Sequence, residues 1–293
     1  MSQYFELPDY RFNLATLKLG SVSLSYVNEG LENKPAIVML HGNPTWSFYY
    51  RALINQFKDR FHVIVPDHVG CGLSDKPADY PYTLKRRVDD IETLIEHLNL
   101  KDIILVGHDW GVAIGAGYAV RNPSNIKKLV IFNGAAFCSD FIPFRIKLLR
   151  SSLAGSILIR KLNLFLNLAL PPVGMATSKK SLFSDEILRG YRYPYRSYQD
   201  RVAIDQFVQD IPMSEIDRSY LTLKDIESKL ESLRTVKSLI LWGGDDWCFN
   251  RYFYERWLTI FSNLEAHYIQ GAGHFVVEDA TDYLIEKMEQ FLK

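Results

Sequence analysis

One stretch limits what this chain can fold into more than any other. Residues 103–117 read Ile-Ile-Leu-Val-Gly-His-Asp-Trp-Gly-Val-Ala-Ile-Gly-Ala-Gly. The stretch opens as a short β-branched apolar run, the mark of a buried strand, and ends as a small-residue helix. Between them lies Gly107-His108-Asp109-Trp110-Gly111, a G-x-x-x-G turn. A strand that turns sharply and enters a helix at once is the geometry of a nucleophile elbow. The glycines remove Cβ atoms where strand and helix would collide. The middle residue is pushed above the sheet with strained backbone angles, beside a helix N-terminus that favours negative charge. Here that residue is Asp109, not Ser. The plainer alternative is a turn capped by Asp, with glycines only for packing.

The rest of the chain supplies a frame for this turn. Residues 12–19 and 22–27 alternate apolar and polar around Gly20-Ser21, which predicts a β-hairpin. Further strands are expected at 36–40, 63–65, 103–107, 129–132, 239–242 and 266–269. Helices are expected at 46–57, from Leu84 to Leu98, from the elbow to near Asn122, at 251–261, and at the end up to Leu292. Regularity changes after Asn133. Residues 135–233 hold helical patterns without a clear strand, including an apolar segment at 142–170 and a Tyr/Arg-rich one at 191–198. The expectation is an α/β fold with a mostly parallel central sheet flanked by helices and a helical cap inserted after the sixth strand. In these terms residues 1–134 and 234–293 form the core, and 135–233 a cap domain. Open parallel sheets bind ligands at the carboxyl ends of their strands, so an insertion there would cover a site. The alternative is a merely stabilising satellite.

Composition narrows the class. A chain of 293 residues, 47% hydrophobic, can bury a substantial core. Lys+Arg and Asp+Glu balance at 34 each, which argues against a nucleic-acid partner. Cys71, Cys138 and Cys248 lie far apart, without metal-type spacing, and suit a reducing cytoplasm better than a disulfide framework. Glu6, Asp9, Arg11 and Lys18 argue against a secretory leader. The longest charge-free apolar stretch, 162–178, is interrupted by Pro171, Pro172 and Gly174, so no transmembrane segment is expected.

Several residues fall just after expected strands and so on one rim. Asn43 follows 36–40, Asp109 and Trp110 follow 103–107, Asp245 and Asp246 follow 239–242, and His274 follows 266–269. Nucleophile, acid and histidine come in the chain order of α/β-hydrolases. An Asp nucleophile is ionised near neutral pH and needs no base to activate it. It can displace a leaving group from saturated carbon and form an alkyl ester. His274, oriented by Asp246, would then deprotonate water to attack that ester. The backbone N–H groups of Trp110 and Asn43 would form the oxyanion hole. The Trp110 indole and the Asn43 amide are neutral donors, suited to a weakly basic leaving anion such as halide or carboxylate.

These residues carry a family resemblance. His41-Gly42-Asn43-Pro44-Thr45-Trp46, the loop from Pro66-Asp67 to Gly70-Cys71-Gly72-Leu73-Ser74-Asp75-Lys76-Pro77, the elbow, and Gly273-His274-Phe275 resemble haloalkane dehalogenases of the α/β-hydrolase fold, over almost the whole chain. The resemblance implies Asp109 as nucleophile, His274 as base, and Asn43 with Trp110 as the halide clamp, with no metal or cofactor. One branch takes its acid after the strand at 129–132; Asn133 there is neutral, so the chain resembles the branch with a later acid, and the Trp-Gly-x-x-Asp pattern selects Asp246 over Asp245. Residues 46–51, 80–84 and 207–212 bring it closer to the β-lactone decarboxylases of bacterial long-chain olefin biosynthesis. That implies decarboxylating opening of a lactone ring to an alkene and CO2, and assembly with other enzymes of the pathway. Leu148, Leu149, Ile157, Leu158, Leu162, Phe165 and Leu166 would give an apolar cap for a small apolar substrate with long chains. Val112 departs from the family, which usually has a second glycine there; it is expected to crowd the elbow helix. The alternatives are a haloalkane dehalogenase, an epoxide hydrolase using cap tyrosines (Tyr191, Tyr193, Tyr195, Tyr198, Tyr220), and a hydrolase fold reused as a ligand receptor.

Overall fold

The structure is a computed structural model that describes residues 7–150 and 153–293. Glu6, one of the charges read against a leader, and residues 151–152 of the apolar segment lie outside the described residues. Eight strands form one sheet: β1 (Leu14–Leu19), β2 (Val22–Glu29), β3 (Ala36–Leu40), β4 (His62–Pro66), β5 (Ile103–Gly107), β6 (Ile126–Ile131), β7 (Lys237–Gly243) and β8 (Leu264–Ile269). Their order is β1-β2-β4-β3-β5-β6-β7-β8. The β1–β2 and β2–β4 pairs are antiparallel and the other five pairs parallel.

The unbroken apolar runs in the central strands have a direct cause. In β5, Ile103 and Leu105 pack into the core on one face of the sheet, and Ile104 and Val106 into the core on the other. A strand covered by helices on both sides alternates between two cores, not between core and water. Register then aligns the strand ends. Leu40 pairs with Gly107, Gly107 with Ile131, and Ile131 with Ile240, so the carboxyl ends of β3, β5, β6 and β7 share one edge.

Between β6 and β7 the chain runs through the helices Phe144–Arg150, Leu153–Leu162, Leu164–Ala169, Asp185–Arg192, Val202–Gln209 and Tyr220–Lys229, with no strand among the described residues. Two expected helices differ in detail. The one at 46–57 begins as a 3-10 turn, Ser47–Tyr50, before the α-helix Arg51–Phe57, and the last is split into Val276–Asp279 and Thr281–Leu292. No helix of the described residues is long and apolar enough to cross a membrane.

A buried ion pair ties these pieces together. Arg51 donates from both terminal nitrogens to Glu278, at 2.5 and 2.9 Å, and the Tyr191 hydroxyl donates to the same carboxylate at 2.5 Å. Arg51 belongs to the helix after β3, Tyr191 to the inserted helices, and Glu278 to the turn just after His274. Removing one partner strands a buried charge. Glu278→Ala is therefore expected to cost about 3–5 kcal/mol in a denaturant melt. A loss below about 1 kcal/mol would mean the pair does not hold these elements together.

Candidate active site

Asp109 sits between β5 and the helix Trp110–Arg121 with φ 53° and ψ −123°, the strained turn expected of an elbow. Its N–H donates to the Asn133 carbonyl at 2.7 Å. Gly111 is where the approach is closest: a Cβ there would stand 2.0 Å from the Leu40 carbonyl oxygen. Val112 does not crowd the helix as expected. A Cβ on Gly134 would lie 2.6 Å from Val112 Cγ2, so the bare Cα of Gly134 makes the room that valine takes.

The rim residues converge. The Asp109 carboxylate accepts from the backbone N–H of Asn43 at 2.7 Å and from that of Trp110. Its other oxygen lies 3.8 Å from His274 Nε2. His274 Nδ1 is 2.8 Å from Asp246 Oδ2. Asp246 is fully enclosed and also accepts from the Cys248 N–H at 2.7 Å and the Phe249 N–H at 3.1 Å. Asp245 is exposed and meets Ser178 and the Gly271 N–H instead. Among the described residues the Asn43 side chain donates once, to the Ile204 carbonyl at 3.1 Å, which leaves one amide hydrogen uncommitted there. No described residue accepts from the Trp110 indole N–H; its ring rests against Phe207 with centroids 5.5 Å apart.

Burial pushes the Asp109 carboxyl above its ordinary value, while His274 and the two backbone N–H groups pull against that. Burial pulls the His274 imidazole down, but Asp246, by charge and hydrogen bond, and then Asp109 outweigh it and hold the ring above its ordinary value.

Asn43, Asp109, Trp110 and His274 all line a cavity of about 650 Å³. Its remaining walls are almost wholly apolar, from the helices between β6 and β7 and from Trp247, Phe249 and Phe275. Of the seven apolar residues expected around it, Leu148, Leu149, Leu158 and Phe165 line it. Leu166 packs beneath in the core, and Ile157 and Leu162 point to solvent. None of the five tyrosines does: Tyr191 is held by Glu278, Tyr195 donates to the Thr45 carbonyl, and Tyr193, Tyr198 and Tyr220 stand elsewhere.

Comparison with known proteins places the chain in a family. Residues 35–154 match the family model of the alpha/beta hydrolase fold. The chain is 43% identical over 275 residues to a cis-3-alkyl-4-alkyloxetan-2-one decarboxylase of Shewanella oneidensis, covering 92% of this chain and 85% of that protein. It is 35% identical to the protein of the same name from Xanthomonas campestris, over 98% of each. The chain belongs to the α/β-hydrolase family. Among solved structures, the haloalkane dehalogenase DbeA of Bradyrhizobium elkani superposes with a TM-score of 0.82 at 22% identity, over 96% of this chain and 99% of that one. The chain is thus an α/β-hydrolase-family enzyme with relatives named as decarboxylases and, at 28% identity, a relative from Mycobacterium tuberculosis named haloalkane dehalogenase 2.

Two residues at this site were given no role by the sequence, where Asn133 counted only as a neutral residue and His108 only as part of the elbow turn. Asn133 donates to Asp246 at 3.0 Å and to the Gly243 carbonyl at 2.9 Å, and accepts from the Gly243 N–H at 2.7 Å. It clamps β6 to β7 and aims the acid. His108 Nε2 is 2.8 Å from the His274 carbonyl, and the two rings lie 4.6 Å apart.

The His274 shift has a measurable sign. Its folded value lies above the ordinary 6.5, so the stability it contributes is fully present below pH 6.5 and is lost as pH rises through the folded value. Asp246→Asn removes the strongest raising influence and leaves burial to dominate. In an NMR titration the His274 ring of that variant should protonate at lower pH than in the parent; an unchanged midpoint would refute the pairing.

Proposed function

We propose that this enzyme opens long-chain β-lactones with loss of CO2, using Asp109 as nucleophile. One observation supports the reading above the others. A carboxylate on a strained turn faces a mostly apolar cavity, which is also lined by the Trp110 indole and the Asn43 amide, neutral donors with N–H groups uncommitted among the described residues. An oxetan-2-one carrying two alkyl groups is an apolar β-lactone, and relatives of that name share up to 43% identity with this chain. The helical segment 135–233 acts in this reading as a cap that excludes water from the chains.

In the proposed sequence Asp109 attacks the ring carbon bearing the alkyl C–O bond. The Asp109 C–O bond forms, the lactone C–O bond breaks, and the electron pair leaves on the lactone carboxylate. Asn43 and Trp110 receive that anion. The carboxylate then loses CO2; its C–C electrons become the alkene π bond and expel Asp109 as carboxylate. The backbone N–H groups of Asn43 and Trp110 take up the returning charge. No proton and no water is consumed, and the nucleophile is regenerated. His274, held by Asp246, lies 3.8 Å from Asp109 and steadies the returning carboxylate when its ring is protonated.

A haloalkane dehalogenase is the second reading, because two neutral N–H donors would hold a halide equally well. In that reaction His274 would activate water to free Asp109 from its alkyl ester. An epoxide hydrolase fits less well: it needs acidic hydroxyls for an alkoxide, and no tyrosine of the described residues lines the cavity.

Supplying a long-chain cis-β-lactone and a bromoalkane side by side separates the readings. Alkene and CO2 from the lactone are expected; bromide and alcohol with no alkene would replace this reading with dehalogenation. Asp109→Asn should lower turnover by at least about 10³-fold. Its stability should stay within about 1 kcal/mol of the parent, since a buried, strained carboxylate is a cost to folding.

A further inference from the structure

The helices that wall the cavity also show an apolar face to the outside. In Leu153–Leu162 the exposed residues are Ala154, Ile157, Leu158, Lys161 and Leu162, at the spacing of one helical stripe. A surface helix ordinarily turns such a stripe inward. Here Ile157 is 47% and Leu162 58% exposed. In Phe144–Arg150, Phe144 is 76% and Leu148 59% exposed, while Ile146 and Leu149 face the core. Phe144, Leu148 and Leu158 also line the cavity, so the outer apolar face continues into the site.

Charge on this part of the chain is one-sided. Residues 141–184 hold seven Lys and Arg and no Asp or Glu, in a chain whose charges otherwise cancel. Arg145, Lys147 and Lys161 are exposed, and none of them makes an ion pair among the described residues. Arg150 pairs with Asp217, and Asp205, which accepts from the Ser156 hydroxyl of Leu153–Leu162, is buried. An apolar stripe bordered by basic side chains is the pattern of an interfacial helix on anionic lipid. A second copy of the chain would oppose like charge with like charge.

We propose that the outer face of Phe144–Arg150 and Leu153–Leu162 docks on an anionic lipid surface, and that the cavity loads its apolar substrate from that bilayer. Docking stands on the face alone; loading rests on the apolar substrate proposed above.

Flotation of the full chain with phosphatidylcholine vesicles, with or without about one-third phosphatidylglycerol, tests the docking. The chain should bind the anionic vesicles at least about tenfold more tightly. Lys147→Glu/Lys161→Glu should abolish that preference while leaving turnover of detergent-dispersed substrate unchanged. Phe144→Ser/Leu148→Ser should weaken binding to both vesicle types with an unaltered melting temperature. Equal recovery of parent and variants, or a parent that stays unbound, would overturn the proposal. So would a parent dimer that the Phe144→Ser/Leu148→Ser variant disperses. Vesicle binding without lactone turnover would support docking and count against the substrate reading.

Discussion

The site depends on one close approach, that of the first turn of the helix Trp110–Arg121 to the end of β3. Only a residue without Cβ fits there, because the Leu40 carbonyl occupies the place a Cβ would take at Gly111. That contact sets the distance from Asp109 to the segment after β3, and so brings the Asn43 N–H within 2.7 Å of the carboxylate. Parallel register does the rest. With the ends of β3, β5, β6 and β7 level, short loops are enough to bring Asn43, Asp109 and Asp246 to one place, and Asn133 locks the last two strands. The positive φ at Asp109 is the local cost of this arrangement, carried by the packed sheet on either side.

Much of this was legible from spacing. The buried strands announced themselves because each is covered on both faces, and the elbow because its glycines sit where backbone must touch backbone. Asp246 was separable from Asp245 only through a family pattern; the physical difference, one side chain enclosed and the other in water, exists only in three dimensions. Asn133 was recognised as neutral, but its work as a clamp depends on β6 and β7 being neighbours. The crowding expected at Val112 failed because its relief, Gly134, lies more than twenty residues along the chain. The outward stripe on Leu153–Leu162 was misjudged for a related reason. Periodicity says which residues share a face and is silent on what that face meets.

The braces around the site are largely polar and buried. Asp67 accepts from the N–H groups of Ser47 and Leu73, at 2.7 and 2.8 Å, and so pins the loop after β4 to the turn that follows Asn43. Asp279 accepts from the Gly273 N–H at 2.7 Å and from the Ser178 N–H at 2.8 Å, which fixes the loop carrying His274 against the inserted helices. Such groups hold geometry because each leaves a large penalty if displaced, and that penalty grows as the surroundings become drier. The loops beside Asn43 and His274 are thereby held from both the sheet and the helical side.

Dryness also bears on the chemistry proposed for Asp109. An apolar cavity raises the energy of a compact charge, as the upward shift of the Asp109 carboxyl reflects. A carboxylate expelled from a lactone would meet the same penalty, offset only by two neutral hydrogen bonds. Loss of CO2 spreads that charge along the breaking C–C bond and returns it to Asp109, where backbone N–H groups are already aimed. A fixed cation at the leaving-group position would hold the intermediate carboxylate too firmly. Neutral donors in a low-dielectric pocket leave it poised to fragment; Arg145, the one Lys or Arg among the described residues that line the cavity, stands on the helix Phe144–Arg150 over the Trp247 ring.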